Sequence, residues 1–74
     1  MFYQGNTQQL YDTITEWGEM CGLFYVGCNR CMIYLLSDCY YVLNSSTHAV
    51  LYSHEFLSCV HAFIDAMRER LGVM

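Results

Sequence analysis

Proline and lysine are both absent from this chain of 74 residues, and its only cations besides histidine are three arginines. The sequence also lacks a low-complexity linker, a block of like charge and an internal repeat, so nothing in it marks a boundary between domains. A chain of this length has room for one domain. We therefore predict a single domain that spans residues 1–74.

The scarcity of positive charge limits the class of partner. Seven carboxylates against three arginines give a net charge of -4, and charged residues make up only 14% of the chain. An acidic chain without lysine is repelled by a phosphate backbone, so direct binding of nucleic acid is not expected. A basic surface on another protein is the more natural partner.

Hydrophobic residues make up 55% of the chain, which is far too many for a disordered segment. A domain of this size buries only about 60% of the surface that its unfolded chain exposes. Some apolar surface should therefore meet a partner or a second copy, and we expect a homodimer formed through the sheet or the second helix. The sequence contains no run long enough to span a bilayer and no secretory signal at its start, which predicts a cytoplasmic location.

Hydrophobic periodicity predicts a helix near each end of the chain. The first covers residues 7–21 and stops at Gly22, and its apolar face consists of Leu10, Ile14, Trp17 and Cys21. The second covers residues 54–71 and is capped by Ser53. Its apolar stripe consists of Phe56, Val60, Phe63, Ile64, Met67 and Leu71. The opposite stripe, which includes His61, Asp65 and Arg68, is typical of a solvated face.

Strand-like segments fill the middle of the chain. Residues 23–28 and 31–36 are rich in β-branched and aromatic side chains, and Asn29-Arg30 between them predicts a hairpin turn. Residues 39–43 and 48–52 are joined by the polar turn NSST. The predicted fold class is α+β: an N-terminal helix, an antiparallel sheet of three to four strands, and a C-terminal amphipathic helix packed on the sheet.

The pair Cys28-Asn-Arg-Cys31 allows two interpretations. A C-x₂-C is half of a zinc site, and Cys39 is a candidate third ligand. The second half of such a site is missing, so the alternative is that these cysteines flank a turn as small hydrophobic residues. The odd cysteine count and the reducing cytoplasm predict free thiols. We expect no cofactor and no metal, with a zinc- or thiol-dependent module as the alternative. No catalytic motif is present, so an enzyme is not expected.

Acidic and tyrosine residues predict a surface for a protein partner. Three acids recur on one stripe of the predicted first helix without a base beside them, and both faces of the predicted strands are apolar or aromatic. Tyrosine is enriched at protein interfaces. The predicted partner-binding residues are Asp12, Glu16, Glu19, Tyr34, Tyr40 and Tyr52. The alternatives are a solvated acidic face and burial of the tyrosines in the core.

The segment DCYYVLNSSTHAVLYSHEFLSCVHAFIDAMRERLG, a hairpin that leads into an amphipathic helix, resembles small inhibitors encoded by phages and mobile elements. Anti-CRISPR proteins of the compact α-β-β-β-α kind share this architecture. The resemblance covers about half of the chain and includes no motif. It implies a small acidic protein that binds a larger, nucleic-acid-handling protein and blocks it in the host cytoplasm.

Overall fold

The structure, a computed structural model, describes residues 7–72. Residues 1–6 and 73–74 of the predicted domain lie outside this range. The described residues form six elements, which are α1 (Thr7–Trp17), β1 (Glu19–Val26), β2 (Asn29–Leu36), β3 (Cys39–Asn44), β4 (Ala49–His54) and α2 (Leu57–Gly72). Each strand pairs antiparallel with the next, and the order across the sheet is β1-β2-β3-β4. The predicted α+β class is confirmed, with four strands.

The two helices cover opposite faces of this sheet. On one face, Ile33 of β2 packs in a buried cluster with Val60 and Ile64 of α2. On the other face, the neighbouring residue Met32 packs with Ile14 of α1. Successive side chains of a strand point to opposite faces, so a strand buried on both sides is apolar at every position. This explains why β2 lacks the alternation of apolar and polar residues.

The first helix ends four residues earlier than predicted. Trp17 is its last residue, and the Gly18 N–H donates to the Ile14 carbonyl oxygen at 2.8 Å. A Cβ atom on Gly18 would lie 2.6 Å from this oxygen and 3.1 Å from the Leu35 carbonyl oxygen. Only glycine fits this close passage from α1 into β1. The prediction failed because Cys21 of β1 continued the apolar spacing of the helix.

The turn of the first hairpin lies two residues before the predicted position. Gly27 and Cys28 form the turn, and Val26 opposes Asn29 beside it. Gly27 has a φ of 63°, a left-handed conformation that glycine adopts without steric cost. Asn29 and Arg30 therefore belong to β2. The strands predicted at residues 39–43 and 48–52 are confirmed as β3 and β4.

The second helix begins at Leu57, so the predicted cap at Ser53 was wrong: Ser53 opposes Tyr41 within the sheet. The Phe56 carbonyl oxygen accepts the first helical N–H groups, including that of Val60 at 3.3 Å. The Phe56 N–H donates to Nδ1 of His54 at 3.1 Å. His54, the last residue of β4, thus accepts a hydrogen bond from the residue that directly precedes α2. Neither helix in residues 7–72 is long and apolar enough to cross a membrane.

Two glycine substitutions test the passage from α1 into β1. Gly18→Ala should lower the free energy of unfolding by about 1–3 kcal/mol, because the new methyl group overlaps backbone oxygens that cannot move independently. Gly22→Ala is the matched control, since its Cβ would meet only the Ile33 side chain at 3.5 Å, an ordinary contact. Urea unfolding of both variants measures the difference. Equal stability of the two variants would contradict the close passage at Gly18.

Candidate protein-binding surface

Strand β1 is an edge of the sheet, and one of its faces lies open. Met20, Leu23 and Tyr25 share the face that α1 covers, because Leu23 opposes Met32 of the α1-side cluster. The main contacts of α1, however, are with β2 and β4. The helix therefore leaves the β1 end of this face without a cover.

Large apolar side chains that water reaches lie on this open face and at the end of the helix that precedes it. The exposed fraction is 73% for Trp17, 56% for Tyr25, 47% for Leu23 and 46% for Met20. Trp17 ends α1, three residues before Met20. We call these four residues the β1 strip. Neighbouring exposed apolar side chains of this size are typical of protein interaction sites.

The strip has carboxylates at one end. Glu16 directly precedes Trp17, and Glu19 is the first residue of β1; both side chains are exposed. The structure therefore corrects the predicted acidic stripe, because Glu19 lies on a strand and only Asp12 and Glu16 lie on α1. Asp12 is exposed and accepts a hydrogen bond from Nε2 of Gln8 at 2.9 Å.

Arginines lie near the other end of β1, with Arg30 on the face of the strip and Arg68 on the face of α2. Arg30 opposes Tyr25 across the first hairpin. Arg68 of α2 donates from Nε to the Tyr25 carbonyl oxygen at 3.3 Å. Its guanidinium carbon lies 5.6 Å from the centre of the Phe24 ring, which is within the range of a cation–π contact. Strand β1 thus begins among carboxylates and ends among cations.

A groove lies on the other side of β1, between this strand and α2. Its cavity volume is about 380 Å³, and its lining includes Cys21, Phe24, Leu57, His61, Asp65 and Arg68. The polar stripe predicted on the second helix therefore faces this groove in part. The groove and the β1 strip lie on opposite faces of the same edge strand, and Leu23 borders both.

The predicted tyrosines lie on two faces of the sheet. Tyr34 is half-buried in the α1-side cluster and opposes Met20 of the strip. Tyr40 and Tyr52 are half-buried in the α2-side cluster. The Tyr52 ring stacks on Phe63 with ring centres 4.4 Å apart. Of the three, only Tyr34 adjoins the β1 strip and its acids.

His48 joins the β3–β4 turn to α1. Its ring stacks on Tyr11 with centres 4.3 Å apart, and its Nδ1 lies 2.7 Å from Oε1 of Gln8. These contacts hold His48 at a φ of 61°, a conformation in which histidine is several times commoner than most residues. Burial raises the pKa of Tyr11; the Tyr34 and Asp12 side chains raise it further, whereas Arg30 lowers it. The contacts of His48 with Tyr11 and Gln8 therefore join α1 to the β3–β4 turn.

The sequence pattern does not predict the β1 strip as a binding surface. It predicts Trp17 on the apolar face of a helix that continues to residue 21, and it predicts Met20 within that helix. The available signal was Gly18: a helix that ends there places residues 19–26 in one strand. A β-bulge between Met20 and Gly22 also interrupts the strict alternation of the strand. Met20 and Leu23 therefore share a face although they are three residues apart.

The three cysteines of the alternative metal site are separated. Cys28 is exposed in the turn, whereas Cys31 is buried in β2. Cys39 opposes Leu36, which lies five residues beyond Cys31 along β2, a distance of about 17 Å at the usual rise of a strand. Within residues 7–72, no three histidine, cysteine or acidic side chains are close enough to hold a metal ion.

The reactivity of the thiols tests this placement. Burial raises the pKa of the Cys31 thiol, which reduces its thiolate fraction and blocks its access to reagents. Maleimide should modify the exposed Cys21 and Cys28 rapidly and Cys31 only after unfolding, as mass mapping over time would show. Rapid modification of Cys31 in the folded protein, at a rate equal to that of Cys28, would contradict its burial.

Comparison of the chain with protein-family models, with curated proteins and with solved structures finds no significant match. No family or homologue is identified, and what is shown is an architecture, the α-β4-α order of a small domain, which has one strand more than the α-β-β-β-α inhibitors. The surface feature that stands out is the β1 strip, with its large exposed apolar side chains.

Proposed function

We propose that this protein is a small interaction module that binds a larger protein through the β1 strip and blocks it. The observation that carries the proposal is the exposure of Trp17 at the end of α1 and of Met20, Leu23 and Tyr25 on the edge strand that follows. Tryptophan and tyrosine are enriched among the residues that dominate binding energy at protein interfaces. The strip offers both: Trp17 at the end of α1, and Tyr25 on β1, whose position is fixed by pairing with β2.

The charge beside the strip favours a basic target. Glu16 and Glu19 are exposed next to Trp17, and the chain has a net charge of -4. Charges at the rim of an interface mainly accelerate association, whereas buried aromatic anchors slow dissociation. A protein site that holds a nucleic-acid backbone has the complementary arginines and lysines. Occupation of such a site would block it, in the manner implied by the architectural likeness to anti-CRISPR proteins.

The proposed binding site differs from the set predicted from sequence. Glu16 and Tyr34 remain in it because they adjoin Trp17 and Met20, and Glu19 remains as an exposed acid at the start of β1. Tyr40 and Tyr52 pack under α2, so their substitution would act on stability as well as on binding. The side chains proposed to contact the target are therefore those of the strip itself.

Substitution of the strip tests its role as the anchor. Trp17→Ala with Tyr25→Ala should abolish capture of the target from host lysate and increase its dissociation rate at least about tenfold, since aromatic hot spots contribute 2 kcal/mol or more. Phe56→Ala is the matched control, because Phe56 is an aromatic residue exposed to a similar extent, 60%, outside the strip. The rates are measured by biolayer interferometry with the purified target.

Unchanged melting temperatures must accompany these measurements, so that the loss of binding does not reflect unfolding. If the double variant captures the same proteins with the same dissociation rates as the wild type, the strip is not the binding surface. Equal losses in the Phe56→Ala variant would likewise contradict the proposal.

Neutralising the acids tests the choice of a basic target. Glu16→Gln with Glu19→Gln should slow association and flatten its dependence on salt, while the dissociation rate changes little. Glu55→Gln with Glu69→Gln removes the same charge from exposed positions elsewhere and serves as the control. Stopped-flow association at low and high salt measures the effect. Identical salt dependence of the two double variants would show that the target does not recognise the acids beside Trp17.

A further inference from the structure

We propose that a second copy of this chain adds to the free edge of β1, so that two sheets join about a twofold axis into one sheet of eight strands. The contact is made by the backbone edge of β1. The second copy's β1 would lie beside this strand in the sheet, so its side chains would border the strip and would not cover it. The inference goes beyond the proposed function and does not depend on it.

The free edge of β1 lacks most of the features that prevent strand pairing. It is eight residues long, contains no proline or lysine, and has one charged residue, Glu19, at its start; its one protective feature is the β-bulge between Met20 and Gly22. Edge strands that stay unpaired are usually short or carry charges and proline along their length. The residues in the centre of this edge, from Met20 to Leu23, offer backbone groups to another strand.

Space beside β1 exists on both faces of the sheet. The strip is uncovered on the α1 side, and the groove with its volume of about 380 Å³ lies on the α2 side. The side chains of an added strand lie on both faces of the sheet, whereas a docked helix would contact only one face. Strand β1 itself carries apolar side chains on both faces, with Leu23 on the α1 side and Phe24 on the α2 side. A second β1 is therefore a suitable occupant.

The distribution of charge along β1 makes this pairing self-complementary when the strands run antiparallel. The strand begins at Glu19, with Glu16 nearby, and ends beside Arg30 and Arg68. A twofold axis at the middle of the strand brings the acidic end of one copy to the cationic end of the other. The chain has only three arginines and no lysine, so two of its three arginines lie near this end of β1. A parallel arrangement would instead bring like charges together.

Arg68 marks the end of the paired segment. Its Nε donates to the Tyr25 carbonyl oxygen, and its side chain crosses Phe24 at the edge of the groove. This hydrogen bond occupies the backbone of β1 near its end and leaves the preceding residues open. The contact is therefore centred on residues 21–23, where the two Cys21 side chains of the copies come near each other.

Sedimentation velocity and cysteine cross-linking test the proposal together. Strands pair about 4.8 Å apart, so the Cα atoms of the two Cys21 residues should lie within about 10 Å of each other, whereas those of Cys28 should lie about 40 Å apart. A short bis-maleimide should link Cys28→Ser protein, which keeps Cys21, into a covalent dimer. The Cys21→Ser protein, which keeps Cys28, should not be linked in this way. The uncross-linked protein should sediment as a dimer at micromolar concentration.

Charge at the centre of the edge supplies a second, independent measurement. Leu23→Lys should raise the dissociation constant of the dimer at least about tenfold, because the two lysines meet near the twofold axis. Leu51→Lys is the matched control, since Leu51 is a partly exposed leucine on β4, at the other edge of the sheet. Circular dichroism at low concentration checks the fold of both variants.

A monomer at every concentration would overturn the inference while leaving the proposed binding of a target intact. A dimer that cross-links through Cys28 and not through Cys21, or one that is weakened equally by Leu51→Lys, would also overturn it. Loss of target binding in the strip variants with an unchanged dimer would separate the two surfaces.

Discussion

The two central strands carry apolar side chains on both faces, and the arrangement of the whole molecule depends on this. Ile33 and Met32 are neighbours in β2, and both are buried, one beneath each helix. A sheet of this kind is stable only when both faces are removed from water, because each buried aliphatic side chain contributes about 1.5–3 kcal/mol. One helix on each face meets this requirement at the centre of the sheet.

Two helices do not suffice to cover all four strands. The helix α1 has 11 residues and contacts β2 and β4, and α2 also reaches β3, β4 and one side of β1. The α1 side of β1 is left open, and Gly18 directs the chain into this strand directly from the end of α1. The exposed strip is therefore a consequence of how the core is closed. Both helices contact β4, so β4 is the better protected edge of the sheet.

The elements that the sequence predicted correctly are those with a regular hydrophobic period or a clear turn signal. The α2 stripe was correct at Val60 and Ile64, which are buried, and the β3–β4 hairpin was correct because NSST is a strong turn signal. The end of α1 was missed because apolar residues of β1 happen to continue the helical spacing.

The candidate site was the least predictable part. Whether a tyrosine is buried depends on which face of the sheet it shares with a helix, and this is a tertiary property. Tyr34, Tyr40 and Tyr52 were grouped as one surface, yet the register of the strands distributes them over two faces. Acids and tyrosines could be counted from the sequence; their arrangement around an edge strand could not.

Closure of the core leaves β1, and not β4, as the less protected edge of the sheet. Amide hydrogen exchange in dilute protein, below the concentration at which copies associate, tests this claim most directly because it reports local opening strand by strand. We expect the strongest protection in β2 and β3, intermediate protection in β4 and the weakest in β1. Protection of β1 equal to that of β2 and β3, or weaker protection of β4 than of β1, would contradict it.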